Sequence, residues 1–136
     1  MATAEDLAGP SNAPQPERRS VLIVDDDDEI RESLGEAVAL EGYRVEEARG
    51  GHQAIAQMRE RRPDLVLLDL MMPGMNGWQV LDAMDRDPRL AGIPVFIITA
   101  VFNVSGVRSG YPIFTKPLRL DRMMRTIHAF LSPGEG

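Results

Sequence analysis

Val21-Leu22-Ile23-Val24-Asp25-Asp26-Asp27-Asp28 runs four apolar residues straight into four aspartates. A second junction of the same kind is Leu65-Val66-Leu67-Leu68-Asp69. Short apolar runs bounded by polar residues read as strands buried on both faces, as in a parallel sheet. Open α/β sheets bind ligands beyond the carboxyl ends of their strands. If the two runs are parallel neighbours, Asp25, Asp26 and Asp69 converge on one spot. Two unit charges 4 Å apart repel by about 1 kcal/mol in water and about 4 kcal/mol at an effective dielectric of 20. Such a cluster takes up a proton or binds a cation. Mg2+ suits it, with Mn2+ as an equivalent hard ion. Mg2+ prefers oxygen ligands, keeps several waters and uses one or two carboxylates plus a phosphate. Calcium fits less well, because the glycine and distal glutamate of an EF-hand loop are missing. Asp27 and Asp28 read as acids favoured at a helix N-terminus by the helix dipole.

Outward from these junctions, strand and helix patterns alternate. Ser20–Val24 is the first strand, and Glu29–Glu41 is helical, with Ile30, Leu34, Ala37 and Val38 on one stripe. Arg44–Ala48 is a weaker strand near an edge. Gln53–Arg61 is a short helix with Ala54, Ile55 and Met58 inward. Leu65–Leu68 is the third strand. Asn76 caps a helix carrying Val80, Leu81 and Met84, limited by Pro88. Pro94–Thr99 and Ile113–Thr115 are the fourth and fifth strands. Arg119–Leu131 is the last helix, with Leu120, Met123, Met124, Ile127 and Leu131 on one face. This alternation predicts an α/β fold with a parallel sheet and right-handed crossovers.

The chain has 136 residues and reads as one domain. Residues 1–19, with Pro10, Pro14 and Pro16 and no periodicity, predict a disordered leader. The folded domain is expected over residues 20–132 and a short tail over 133–136, with no second domain. The formal net charge is −6, which argues against nucleic acid or an anionic membrane as a partner. Cysteine is absent, which excludes disulfides, thiolate metal sites and cysteine nucleophiles. No apolar run reaches the roughly 18 residues of a membrane span, and no signal-peptide pattern opens the chain. A cytoplasmic protein is the default expectation.

Two further polar residues end strands. Thr99 closes Phe96-Ile97-Ile98, and Lys116 follows Ile113-Phe114-Thr115. A hydroxyl and an ammonium beside three carboxylates make a phosphoryl site. A carboxylate attacks phosphorus, cations neutralise the equatorial oxygens, and the hydroxyl donates a hydrogen bond. His52 and His128 fall on predicted helices and are not expected to carry phosphate. Trp78 is expected to pack.

Val24-Asp25-Asp26, Leu68-Asp69 through Met71-Met72-Pro73-Gly74-Met75-Asn76-Gly77, Ile98-Thr99-Ala100 and Thr115-Lys116-Pro117 together resemble the receiver domain of bacterial two-component response regulators. The likeness covers about residues 20–131, with all four motifs in order. It implies a flavodoxin-like (CheY-like) doubly wound five-stranded sheet of order 2-1-3-4-5. It implies that Asp69 accepts a phosphoryl group from a sensor histidine kinase or a histidine phosphotransfer protein. Asp25, Asp26, Asp69 and the backbone carbonyl of Met71 would hold Mg2+, with Asp26 the more direct ligand. Thr99 and Lys116 would grip the phosphoryl group. The Lys116–Pro117 peptide resembles the family's usual cis bond.

Two features depart from the family. The stretch between Thr99 and Lys116 is short for a receiver, and Gly106 and Gly110 fall within it. A shortened or irregular fourth helix is expected over Val101–Gly110. Ile113 replaces the aromatic residue that usually turns inward when the threonine moves. The chemistry therefore reads as intact and the readout as altered, with Val101–Gly110 as the element that phosphorylation orders. Apolar Met71 and Val101 imply an acyl phosphate long-lived for the family. The expected function is that of a response regulator, not an enzyme, signalling to a downstream protein target or relaying phosphate. Leu118, Arg122 and Arg125 are candidate contacts. The first rival is a phosphorylation-independent pseudo-receiver. The second, an aspartate-nucleophile phosphohydrolase, needs an acid where Met71 stands.

Overall fold

A computed structural model describes residues 18–100 and 110–131. In chain order it places β1 (Ser20–Val24), α1 (Asp28–Leu40), β2 (Arg44–Ala48), α2 (Gly51–Glu60), β3 (Leu65–Asp69), α3 (Gly77–Arg86), β4 (Val95–Thr99), β5 (Ile113–Thr115) and α4 (Leu120–Leu131). The leader expected over residues 1–19 lies outside the described residues apart from Arg18 and Arg19. Arg19 is part of the fold: its carbonyl accepts from Arg44 N at 2.8 Å. Of the irregular helix expected over Val101–Gly110, only Gly110 is described.

The five strands form one parallel sheet in the order β2-β1-β3-β4-β5. Every residue of β1, β3 and β4 is buried, as double-sided covering requires. Alternation splits their side chains between two cores. Leu22, Val24, Val66, Leu68, Val95 and Ile97 pack beneath α2 and α3. Val21, Ile23, Leu65, Leu67, Phe96 and Ile98 pack beneath α1 and α4 on the other face. The edge strands β2 and β5 are more open. Pro112, which has no N–H to give, precedes the edge strand β5, and its carbonyl accepts from Ile97 N at 2.8 Å.

Two of the helices, α1 and α3, start where side chains serve their free N–H groups. Asp27 caps α1, accepting from Glu29 N at 2.9 Å and Ile30 N at 3.2 Å. Asn76 and Gln79 form a reciprocal capping box on α3. The buried stripe of α1 is Arg31, Leu34, Gly35 and Val38, a rotation from the expected Ile30-Leu34-Ala37-Val38 face. Ile30 and Ala37 are only partly covered. The rotation puts a guanidinium where an apolar residue is expected, and its partners explain why it is tolerated there.

Candidate metal and phosphoryl site

β1 and β3 are adjacent, and the chain leaves β1 toward β2 but enters β3 on the other side. Their carboxyl ends therefore flank the crevice where the strand order reverses, the place where such sheets bind ligands. Asp25 follows β1 directly, and Asp69 is the last residue of β3. Both are buried, at 1% and 2% exposure, while Asp26 faces solvent. One carboxylate oxygen from each of Asp25, Asp26 and Asp69 lies within 4.8 Å of the other two.

Lys116 reaches into this cluster from the end of β5. Its Nζ is 3.0 Å from Asp25 Oδ2 and 3.7 Å from Asp69 Oδ1. The Lys116 backbone N–H donates to the Thr99 carbonyl at 2.8 Å, so the ends of β4 and β5 are tied together. Thr99 is fully buried, one residue beyond Ile98, which pairs in register with Asp69. The Lys116–Pro117 peptide is cis. Asp25 Oδ1 accepts from Asp27 N at 2.9 Å. Asp25 Oδ2 is close to the ammonium but not aligned for a hydrogen bond, and it has no other partner. A buried carboxylate oxygen left unsatisfied is costly. Together with two neighbouring carboxylates it forms a hard, anionic oxygen set of the kind that holds Mg2+, so these residues fit that ion.

Burial pushes the Asp69 carboxyl up to about 6, and the nearby charge of Asp25 adds to the rise. The Lys116 ammonium and the Met71 N–H, which donates to Asp69 Oδ1 at 3.3 Å, pull the other way. The result is a carboxylate that is ionised at neutral pH yet unusually basic, a property suited to a nucleophile. The Met71 side chain is 53% exposed at the mouth of the site.

The loop after Asp69 is clamped by glycine. A Cβ on Gly77 would lie 2.6 Å from both the Asp69 carbonyl oxygen and the Leu70 Cα. Gly77 N also donates to the Leu70 carbonyl at 2.9 Å. α2 starts at Gly51, ahead of the expected Gln53, and a Cβ on Gly51 would meet the Met75 carbonyl at 2.7 Å, so that position admits only glycine. Close backbone approach needs glycine, and no periodicity reveals which glycine will be approached.

Other singled-out residues fall elsewhere. Ile113 is 41% exposed on the edge strand. Phe114 faces the opposite way and packs on Phe96 with ring centroids 5.6 Å apart. Trp78 packs against the core beneath α2 and α3. His52 is exposed on α2, and His128 Nδ1 on α4 is 3.2 Å from the Tyr43 hydroxyl. Arg122 and Arg125 are exposed on α4, and Leu118 is half-buried. No described helix is long and apolar enough to cross a membrane.

Comparison with known proteins agrees with this arrangement. Residues 21–128 match the family model described as response regulator receiver domain. The chain is 34% identical over 117 residues to Protein PilH of Pseudomonas aeruginosa, covering 82% of this chain and 97% of that protein. It is 37% identical over 123 residues to the DNA-binding response regulator MtrA of Mycolicibacterium smegmatis, covering 87% of this chain but 53% of MtrA. It thus spans about half the length of that relative. A CheY-like response regulator receiver domain protein from Methanospirillum hungatei superposes with a TM-score of 0.72 at 30% identity, covering 82% of this chain and 93% of that one. The chain belongs to the response regulator receiver domain family of two-component signalling.

Proposed function

We propose that the protein accepts a phosphoryl group on Asp69 from a histidine kinase or histidine phosphotransfer protein and signals through contact with another protein. The observation that carries this reading is the meeting of Asp25, Asp26 and Asp69 within 4.8 Å, with Lys116 Nζ 3.7 Å from Asp69. In the transfer, an Asp69 carboxylate oxygen forms the new bond to phosphorus as the donor's nitrogen–phosphorus bond breaks. The electron pair of the broken bond returns to the donor nitrogen. Lys116 neutralises charge on the phosphoryl oxygens, and the Thr99 hydroxyl donates to one of them. A Mg2+ held by Asp25, Asp26, Asp69 and the Met71 carbonyl would supply further neutralisation of the phosphoryl and carboxylate charge. The role is that of a phosphoacceptor rather than an enzyme acting on a separate substrate. Met71 stands where a phosphohydrolase would carry its acid.

Mass spectrometry after treatment with acetyl phosphate and Mg2+ tests this. The native protein is expected to gain one phosphoryl group and Asp69→Asn none. Labelling of both equally would overturn the assignment. One observation favours a second reading, a phosphorylation-independent interaction module: Ile113 lies open on the edge strand where the family's aromatic switch is expected. An unlabelled native protein would select it. If labelling occurs, the short segment over residues 101–110 is the element the added charge of about −1.5 to −2 must bias. Beryllofluoride, a phosphoryl mimic, is then expected to raise its protection from hydrogen exchange.

A further inference from the structure

Arg31 is buried to within 6% of its surface, and the phosphoryl chemistry leaves it without a role. Each of its three guanidinium nitrogens serves a different element. Nη1 donates to the Asp25 carbonyl at 2.9 Å, at the end of β1. Nε donates to Glu47 Oε1 at 3.0 Å, near the end of β2. Nη2 donates to Asp28 Oδ1 at 2.6 Å, in the first turn of α1. The first of these bonds is itself buried. The carbonyl it holds belongs to the peptide joining Asp25 to Asp26, so the guanidinium fixes the plane of the one peptide that lies between two of the three clustered carboxylates.

That peptide plane sets the direction in which Asp26 leaves the backbone. The Asp25 side chain has restraints of its own from Asp27 N and Lys116. Asp26 is exposed, and its carboxylate has no hydrogen bond to another described residue that would orient it. A planar fork with donors in fixed directions can hold three partners at once, which a lysine ammonium on a flexible stem cannot reproduce. Burying the guanidinium is tolerable because all three nitrogens are satisfied, two of them by carboxylates.

We infer that Arg31 is a positioning residue for the divalent-cation site: its guanidinium, braced by Glu47 and Asp28, locks the Asp25–Asp26 peptide so that Asp26 presents its carboxylate toward Asp69. This rests on the proposed reading of the acidic cluster as a cation site. Charge and geometry make opposite demands. Arg31 is a cation near the cluster, so if it acted only through its charge, removing it would tighten cation binding. If it positions Asp26, removing it weakens cation binding. Outer partners of metal ligands typically contribute 10–100-fold in metal affinity.

The test is calorimetric titration of the unphosphorylated full chain with Mg2+, comparing native protein with Arg31→Lys and Arg31→Gln, each shown folded by circular dichroism. About tenfold weaker binding in both variants is expected, with Lys failing to rescue although it keeps the charge. Unchanged or tighter binding in the folded variants, beside normal binding by native protein, overturns the role of Arg31 and leaves the cation site standing. No binding by native protein overturns both. Should neither Arg31 variant fold, Glu47→Ala removes one brace while leaving the buried guanidinium its other two partners, and Glu47→Gln loses the same charge but keeps an acceptor for Nε. Severalfold weaker Mg2+ binding is expected for the alanine variant than for the glutamine variant, and equal affinity of the two overturns the inference.

Discussion

Well below pH 3.8 the Asp69 carboxyl is protonated in folded and unfolded chains alike. As the pH rises the unfolded chain ionises near 3.8, whereas the folded protein holds its proton until about 6. The folded state binds more protons across that window, so stability falls as pH rises through it and the penalty is complete above 6. Without a divalent ion the cost is on the order of 3 kcal/mol at neutral pH. Asp69→Asn is expected to remove that slope and to raise the melting temperature at pH 7 by roughly ten degrees. Scanning melting temperature against pH from 4 to 8 in chelator checks this; parallel curves for the two proteins would contradict it. Adding Mg2+ at pH 7 is expected to stabilise native protein more than the variant, because it relieves a repulsion that the variant lacks.

Elements are held in register by a few polar staples and close backbone approaches. Asp87, just past α3, accepts from Arg89 through both oxygens and from Arg59 of α2 at 3.1 Å. The Arg89 side chain and N–H, with Arg59, hold its carboxyl down to about 2. A depressed carboxyl stabilises the fold above its unfolded value near 4 and loses that contribution as pH falls toward 2. This dependence runs opposite to that of Asp69. Asp87→Asn is expected to flatten the acid limb of the stability curve below pH 4 while leaving the slope between 4 and 6; an unchanged acid limb would count against it. At the other end of α3, Gly77→Ala forces a Cβ within 2.6 Å of backbone on the loop after Asp69. Steric insertion of this kind costs about 1–3 kcal/mol. Urea unfolding is expected to show that loss, together with weaker Mg2+ affinity, because the displaced loop carries Met71. An alanine variant with native stability and affinity would refute the clamp.

Across the whole molecule, what was legible in the sequence is what depends on pattern. β1, β3 and β4 are continuous apolar runs because helices cover both their faces, and their polar ends mark the crevice at the β1/β3 reversal. The alternation carries the parallel sheet; the flavodoxin-like order is implied only by the resemblance to receiver domains, and the observed order and the convergence of Asp25, Asp26, Asp69 and Lys116 agree with it. What depends on tertiary approach was not legible. Helical spacing on the apolar residues of α1 selects Ile30 and Ala37 for the buried face, yet the buried stripe contains Arg31, because three partners from separate elements make its burial tolerable. Gly51 and Gly77 show nothing locally that distinguishes them from other glycines, since the atoms that crowd them come from Met75 and from the end of β3. An arginine one helical turn beyond an aspartate run was the one available hint.

A crystal structure grown with Mg2+ and beryllofluoride decides whether Asp69 is the phosphoryl acceptor of a cation site. Beryllium is expected to be bonded to an Asp69 carboxylate oxygen. One metal ion is expected about 2.1 Å from oxygens of Asp26 and Asp69, with Lys116 and Thr99 on the fluorides. Beryllofluoride bound elsewhere, or Asp26 turned away from an ion beside Asp69, would contradict that assignment.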